Sequence, residues 1–165
     1  MIWLVILGVA GMVIAPVMWL KPSPRQRRLI ALRNEARKLG IVVKLEASPA
    51  HQAKGLVAVY RWPFPGGRPG PDFMLVSPEL ASPALKPFEA GWCWRTEPLR
   101  PLPESAVTLL AAMPVHLPED ALAIASGRSA LTLWWDESLD AQRLAAFAEP
   151  LAELRDALAG HPDHP

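Results

Sequence analysis

The opening segment, residues 1–20, constrains this chain most, because it contains no charged and no strongly polar side chain: MIWLVILGVAGMVIAPVMWL. A helix of this length spans about 30 Å, the thickness of the hydrocarbon core of a bilayer. Trp3 and Trp19 stand near the two ends of the segment, where indole rings favour the level of the lipid headgroups. The pattern therefore predicts one transmembrane helix, and hence a single-pass membrane protein, over residues 1–20.

A cleaved signal peptide and a buried core helix are the other interpretations of this segment. A signal peptide has a positive n-region, a shorter apolar run and a cleavage site between small residues. No lysine or arginine precedes residue 21, and Pro16 follows Ala15 where cleavage would fall. These features favour a retained span, which Pro16 is expected to kink.

A cationic segment, KPSPRQRR, follows the apolar one directly and contains Lys21, Arg25, Arg27 and Arg28. Positive flanks stay on the cytoplasmic side of a membrane. We therefore expect the N-terminus outside and the remaining chain at the cytoplasmic face of an inner membrane; the Arg- and Ala-rich composition is typical of a bacterium. The one cysteine, Cys93, agrees with a reducing compartment, because it has no disulfide partner within the chain.

A basic juxtamembrane helix is predicted over residues 21–40. Ser23 is a suitable N-cap, an apolar stripe runs through residues 24–39, and Gly40 ends the helix. Arginines flank the stripe, which predicts contact with anionic lipid; a topology signal with a solvated helix face is the alternative. The residues assigned to the membrane or its lipids are Trp3, Trp19, Lys21, Arg25, Arg27, Arg28, Arg33 and Arg37.

Charge is unevenly distributed, with an excess of cations in residues 21–46 and an excess of anions in residues 47–165. Basic helices bind nucleic acids, but the acidic remainder of the chain repels phosphates, and no nucleic-acid-binding motif is recognisable. The sequence therefore predicts no nucleic-acid partner.

The sequence predicts an α+β fold with a mainly antiparallel sheet of about six short strands and three helices, and residues 41–159 form its α+β domain. The second and third helices are expected to cover one face of the sheet. The predicted strands are residues 41–46, 55–62, 73–77, 91–95, 121–126 and 130–135, and the predicted helices are residues 24–39, 103–113 and 139–159. Pro114 is expected to stop the second helix, and Pro150 to bend or split the third. The Pro-flanked tail, residues 160–165, is expected to be disordered.

Two groups of apolar side chains are candidate surfaces for a protein partner. Strand alternation places two tryptophans on one face, and a narrow heptad seam runs along the last helix. These candidate partner-binding residues are Trp92, Trp94, Phe147, Leu151, Leu154 and Leu158. Packing in the core of the same chain is the alternative, and for the seam it is the default expectation.

No catalytic, cofactor-binding or metal-binding constellation is recognisable. The Gly pair in residues 63–71 lies in no phosphate-binding pattern, and Cys93 lies in no Cys–His signature. Acids cluster at Asp136, Glu137 and Asp140 beside Ser138. We interpret Ser138 as a helix N-cap and the acids as favourable charges near the helix N-terminus, in preference to a metal site.

The span followed by Pro-rich, basic Lys21-Pro22-Ser23-Pro24-Arg25-Gln26-Arg27-Arg28 resembles the small bacterial YajC proteins, accessory subunits of the Sec translocase. The resemblance covers about residues 1–45 and implies a short helix that leads to a compact β-rich domain. Ala47-Ser48-Pro49 stands where that family has a glycine-rich turn, and no functional residue is carried over.

The expected function is that of a non-enzymatic, membrane-anchored accessory subunit or adaptor that acts through contacts with a membrane-protein complex. A YajC-like role beside the translocase is one alternative. A small-ligand binder or enzyme, with a site assembled from distant residues, is the other. The candidate residues for such a dispersed site are Arg61, Arg68, Trp92, Trp94 and Glu97.

Overall fold

The computed structural model describes residues 2–6, 8–9, 22–50 and 55–163. These residues form an α+β fold, which confirms the predicted class. The helices are α1 (Pro24–Lys38), α2 (Glu104–His116) and α3 (Ala145–Leu158), with a 3-10 turn at Glu89–Gly91. The strands are β1 (Val42–Ala47), β2 (Leu56–Pro63), β3 (Phe73–Val76), β4 (Lys86–Pro87), β5 (Cys93–Thr96), β6 (Ala121–Ser126) and β7 (Ala130–Trp135).

All strands join one seven-stranded sheet in the order β1-β2-β7-β6-β3-β5-β4. Every neighbouring pair is antiparallel, as predicted. The additional strand is β4, which has only two residues and therefore leaves no alternating pattern in the sequence.

The predicted transmembrane helix over residues 1–20 is wrong for the described part of the chain. Residues 2–6 and 8–9 are helical and exposed, whereas residues 1, 7 and 10–21 lie outside the described residues. None of the described helices is long and apolar enough to cross a membrane. An apolar composition is necessary for a span, but a span also requires about 20 continuous helical residues, so the interpretation as a single-pass membrane protein is corrected with it.

The main core lies between the helices and one face of the sheet. The cross-strand pairs Ala58–Trp135 and Tyr60–Leu133 lie on this face. The ring centroid of Trp135 lies 5.2 Å from that of Tyr60 and 5.0 Å from that of Phe147, in edge-to-face geometry. Such aromatic contacts stabilise a core beyond the area that they bury, so β2, β7 and α3 are joined at one point.

The first predicted helix is present as α1. Ser23 and Gln26 form a reciprocal capping box at its N-terminus, which satisfies two amides that would otherwise lack partners. Leu32 and Ala36 are fully buried. After the helix, Gly40 adopts a φ of 76°, which glycine tolerates without strain, and the chain turns directly into β1.

Prolines affect the other two helices less than predicted. Pro114 lies inside α2, which continues to His116, and Pro150 lies inside a continuous α3. Helix α3 begins at Ala145 rather than at residue 139, and residues 141–144 form turns. A proline inside a helix removes one backbone hydrogen bond and crowds the carbonyl of the preceding turn. Both helices nevertheless continue beyond their prolines.

The heptad seam packs within its own chain. The four seam residues are between 0 and 1% exposed, and α3 contacts α2, β2 and β7. They are Phe147, Leu151, Leu154 and Leu158. Packing within the same chain is the default expectation from the sequence for the seam, and the structure agrees with it. The seam is therefore not a candidate docking surface.

The C-terminal segment is also tied to the domain. Asp163 is 5% exposed, and its carboxylate accepts hydrogen bonds from the amides of Asp72, at 3.0 Å, and Arg100, at 3.2 Å. Residues 160–163 therefore have a defined place, where the sequence predicts disorder, because one buried carboxylate satisfies two loop amides. Residues 164–165 lie outside the described part.

Candidate functional site

The most buried polar cluster is built around Glu137, which follows β7 directly and is 4% exposed. Its backbone has a φ of 56°, an uncommon conformation for a residue other than glycine. The carboxylate accepts hydrogen bonds from Arg33 Nε at 2.8 Å and Nη2 at 2.6 Å. The hydroxyl of Tyr60 donates a third at 2.9 Å. Side chains from α1, β2 and the end of β7 thus meet at one carboxylate.

The backbone around Glu137 is bonded as well. The guanidinium of Arg28 donates to the carbonyl oxygens of Glu137 and Ser138. Asp120 accepts from the hydroxyl and amide of Ser138 and from the amide of Asp136. Ser138 is therefore not the N-cap that the sequence predicts. We call the group formed by Arg28, Arg33, Tyr60 and Glu137 the Glu137 joint.

Charge and burial in the Glu137 joint shift two pKa values. Hydrogen bonds to Glu137 raise the pKa of Arg33, in spite of its partial burial. Burial, followed by the negative charge of Glu137, raises the pKa of Tyr60 far above its usual value. Arg33 therefore stays charged and Tyr60 stays neutral near neutral pH, so neither group is suited to proton transfer there. The joint holds α1 on the sheet.

The second candidate region is a groove of about 410 Å³ at the opposite end of the sheet. Its floor contains Trp94 of β5 and Phe88, whose ring centroids lie 5.0 Å apart. The ring centroid of Phe73 lies 5.7 Å from that of Trp94, also in edge-to-face geometry. We call this space the Trp94 groove; it is lined by Lys86, Phe88, Trp94, Glu97, Pro98, Leu99, Arg100, Pro101, Leu102, Val107 and Leu110.

The rim of the Trp94 groove is exposed and partly charged. Leu99 is 70% exposed and Val107 is 44% exposed. Lys86 and Glu97 form an ion pair with each other. Arg100 forms no ion pair with any residue that the structure describes. An apolar floor with one unneutralised guanidinium at its edge is suited to an apolar group that carries a carboxylate nearby.

Two smaller cavities are less suited to binding. One of about 320 Å³ lies between the end of α1 and α3, beside Leu39, Trp62 and Glu149. The other, of about 180 Å³, lies beside Arg100 and His161. Neither contains a half-buried aromatic pair like that of the Trp94 groove.

The predicted site residues are distributed over the core, the Trp94 groove, the Glu137 joint and the exposed surface, and two of them lie outside the described residues. Trp92 lies in the core at 6% exposure, whereas Trp94 is half-buried and forms the groove floor. Arg28 and Arg33, which the sequence analysis assigned to lipid, belong to the Glu137 joint instead. The exposed members of the lipid-facing set are Trp3, Arg25, Arg27 and Arg37, and the members outside the described residues are Trp19 and Lys21.

The two arginines of the predicted dispersed site are each bound by another residue, and neither lines the Trp94 groove. Arg61 pairs with Glu46 at 2.8 Å, and Arg68 donates to the carbonyl of Ala159 at 2.9 Å. Cys93 is buried as a free thiol. Among the described residues, no group of three or more His, Cys, Asp or Glu side chains could hold a metal ion.

The sequence interpretation missed the Glu137 joint, although two signals pointed to it. Tyr60 is the one tyrosine of the chain and lies on an apolar strand face, where its hydroxyl requires a partner. Arg33 directly follows Leu32 at the edge of the buried stripe of α1. A buried hydroxyl and a partly buried guanidinium both require hydrogen-bond acceptors, and the carboxylate of Glu137 accepts from both.

The fold and its two regions define the class of this chain as an α+β protein with a seven-stranded antiparallel sheet. Comparison with known protein families, curated proteins and solved structures finds no match. The resemblance to YajC proteins therefore stays a hypothesis.

Proposed function

We propose that this chain is a non-enzymatic adaptor whose Trp94 groove binds an extended peptide segment of a partner protein. The observation that carries the proposal is the half-buried Trp94–Phe88 pair in an open groove of about 410 Å³. Grooves lined by aromatic side chains bind extended peptides in several classes of recognition domain. The peptide would place an apolar side chain on Trp94 and a carboxylate beside Arg100.

The exposure of the groove rim supports a peptide as the occupant. Leu99 and Val107 expose apolar side chains at the groove, and exposed apolar surface of this kind is typical of sites that bind proteins. Arg100 supplies the charge that the occupant would neutralise. A carboxylate of the peptide would form a charge-assisted hydrogen bond with its guanidinium.

A non-enzymatic role is supported by the state of the buried acids. Glu137 is held by Arg33 and Tyr60, and Asp163 by two backbone amides. Neither carboxylate lines the Trp94 groove. A general acid or base must reach the substrate, and these two carboxylates are engaged elsewhere. The carboxylate that does line the groove, that of Glu97, is paired with Lys86. A location at the cytoplasmic face and a role beside the translocase stay predictions.

Peptide selection tests the proposal. A displayed library of random linear peptides is panned against the full chain, and a selected peptide is synthesised and titrated by calorimetry. We expect selected peptides to share an apolar residue near an Asp or Glu. Against Arg100→Glu, the same library should yield peptides without that acid.

A matched pair of variants on α2 locates the binding. Val107→Asp introduces a charge at the groove, whereas Val115→Asp introduces the same charge at a side chain that is 85% exposed and outside the groove lining. We expect Val107→Asp to weaken binding at least about tenfold and Val115→Asp to leave it unchanged. Equal affinities for the two variants would refute the groove as the binding site.

A further inference from the structure

The two edges of the sheet differ in how open they are to a further strand. The edge at β4 consists of two residues, one of them Pro87, and a short strand with a proline cannot readily pair. The edge at β1 has six residues, Val42–Ala47. It contains no proline, and its pairing with β2 is continuous, without a bulge. No described strand pairs with its outer side.

The β1 edge also exposes apolar side chains. Leu45, in the middle of the strand, is 50% exposed, and Val42 is 42% exposed. Leu45 lies opposite Ala58, on the face that the helices cover. A leucine that reaches the core face of a sheet and remains half exposed is a position at which another strand would bury apolar surface.

The charges of β1 decide which strand fits. A single lysine on an edge strand normally opposes pairing, and Lys44 is such a residue. Glu46 lies two residues further on, on the same face of the strand. When two copies of β1 pair antiparallel about a two-fold axis at Leu45, Lys44 of each copy lies opposite Glu46 of the other. Each of these charges then lies opposite a charge of the other sign on the second copy.

Glu46 is already oriented for this role. Its carboxylate bonds the Arg61 guanidinium of β2 at 2.8 Å, which fixes the position of the side chain. A carboxylate has room for a second cationic partner, and the lysine of a second copy would approach it from the open side.

We propose that β1 is a dimerisation edge: two copies of this chain pair antiparallel through β1 and form one continuous sheet with a two-fold axis at Leu45. The interface is self-complementary, as a two-fold dimer requires. Main-chain hydrogen bonds between the copies supply affinity, and the two Lys44–Glu46 pairs set the register.

Charge reversal tests the proposal on the full chain by sedimentation equilibrium. Lys44→Glu leaves two pairs of like negative charges across the axis, and Glu46→Lys leaves two pairs of like positive charges. We expect the parent to dimerise and each variant to have a dimer dissociation constant raised at least about tenfold. An equimolar mixture of the two variants should dimerise like the parent, because each pair then has opposite charges.

Controls separate pairing from folding. Arg128→Glu, in the turn between β6 and β7, and Glu153→Lys, on α3, reverse single charges at exposed positions outside β1, and we expect both to dimerise like the parent. Circular dichroism melting verifies that every variant is folded. Leu45→Arg, which places like charges on the axis itself, gives an independent test and is expected to be monomeric.

Three results would overturn the proposal. They are a monomeric parent at micromolar concentration, charge-reversed variants that dimerise like the parent, and a mixture of the two variants that stays monomeric. The recovery of the dimer in the mixture is specific to antiparallel β1 pairing, because a loss of fold in either variant would not be reversed by the other.

Discussion

The Glu137 joint and the Trp94 groove lie at opposite ends of one sheet and use opposite chemistry. The joint is polar and buried, and each oxygen of its carboxylate has a donor. The groove is apolar and open, and at its rim Arg100 has no ion-pair partner among the described residues. Buried polar groups that bond one another hold a fold together, whereas exposed apolar groups are available to a partner. In this protein the shifted pKa values of Arg33 and Tyr60 belong to the region that stabilises the fold and not to the region that is open to a partner.

The core that both regions share should respond most strongly to mutation. Leu154→Ala removes a fully buried side chain and is expected to lower the free energy of unfolding by about 2–5 kcal/mol. Chemical denaturation measures this loss. Peptide binding at the Trp94 groove should persist in the fraction that remains folded. Glu153→Lys, at an exposed position on the same helix, is the control and should change stability by less than about 0.5 kcal/mol. A Leu154→Ala variant as stable as the parent would contradict the packing of α3 on its own sheet.

The Glu137 joint should depend on its carboxylate. Glu137→Ala leaves Arg33 and the Tyr60 hydroxyl without their acceptor, and breaking a buried pair in this way costs about 3 kcal/mol. The cost lies at the low end of the usual range because solvent reaches the Arg33 side chain, which is 29% exposed. Urea unfolding provides the measurement, with Glu149→Ala, an exposed acid of α3, as the control. Equal stability of Glu137→Ala and the parent would show that the joint contributes nothing.

A smaller effect is expected from the tyrosine of the joint. Tyr60→Phe removes one of three donors to the Glu137 carboxylate and should reduce stability by about 1 kcal/mol.

The raised pKa of Tyr60 also predicts a dependence of stability on pH. The unfolded tyrosine ionises above pH about 10, whereas the folded one stays neutral, so the parent loses stability as pH rises beyond that value. Tyr60→Phe should lose less between about pH 9 and pH 11 in the same unfolding assay. If the parent and Tyr60→Phe lose equal stability between about pH 9 and pH 11, the raised pKa does not belong to Tyr60.

The Trp94 groove should show the reverse behaviour and the smallest change in stability. Leu99→Ser alters a side chain that is 70% exposed, so we expect a change within about 0.5 kcal/mol. Calorimetry with a selected peptide should nevertheless show weaker binding, because the exposed leucine no longer covers the ligand. A destabilised Leu99→Ser variant with unchanged affinity would remove the functional contrast between the groove and the joint.

Local patterns in the sequence determined much of the secondary structure. Ser23, Pro24 and Gly40 mark the limits of α1 through capping and backbone preferences that act over a few residues. Short apolar runs bounded by turn residues predicted β2, β6 and β7 and a mainly antiparallel sheet. The heptad seam of α3 identified core residues correctly, since helical periodicity reports one buried face.

The tertiary structure alone decided which residues meet. Glu137 and Arg33 are 104 positions apart in the chain, and no local pattern records such a contact. The sequence assigned Arg33 to lipid because position on a helix specifies a face but does not specify what covers that face. Likewise, the apolar composition of residues 1–20 predicted a span, but no described helix has the length that a span requires. Composition and periodicity act over a few residues, whereas packing depends on the whole chain, and for that reason the Trp94 groove and the open β1 edge became visible only in the folded protein.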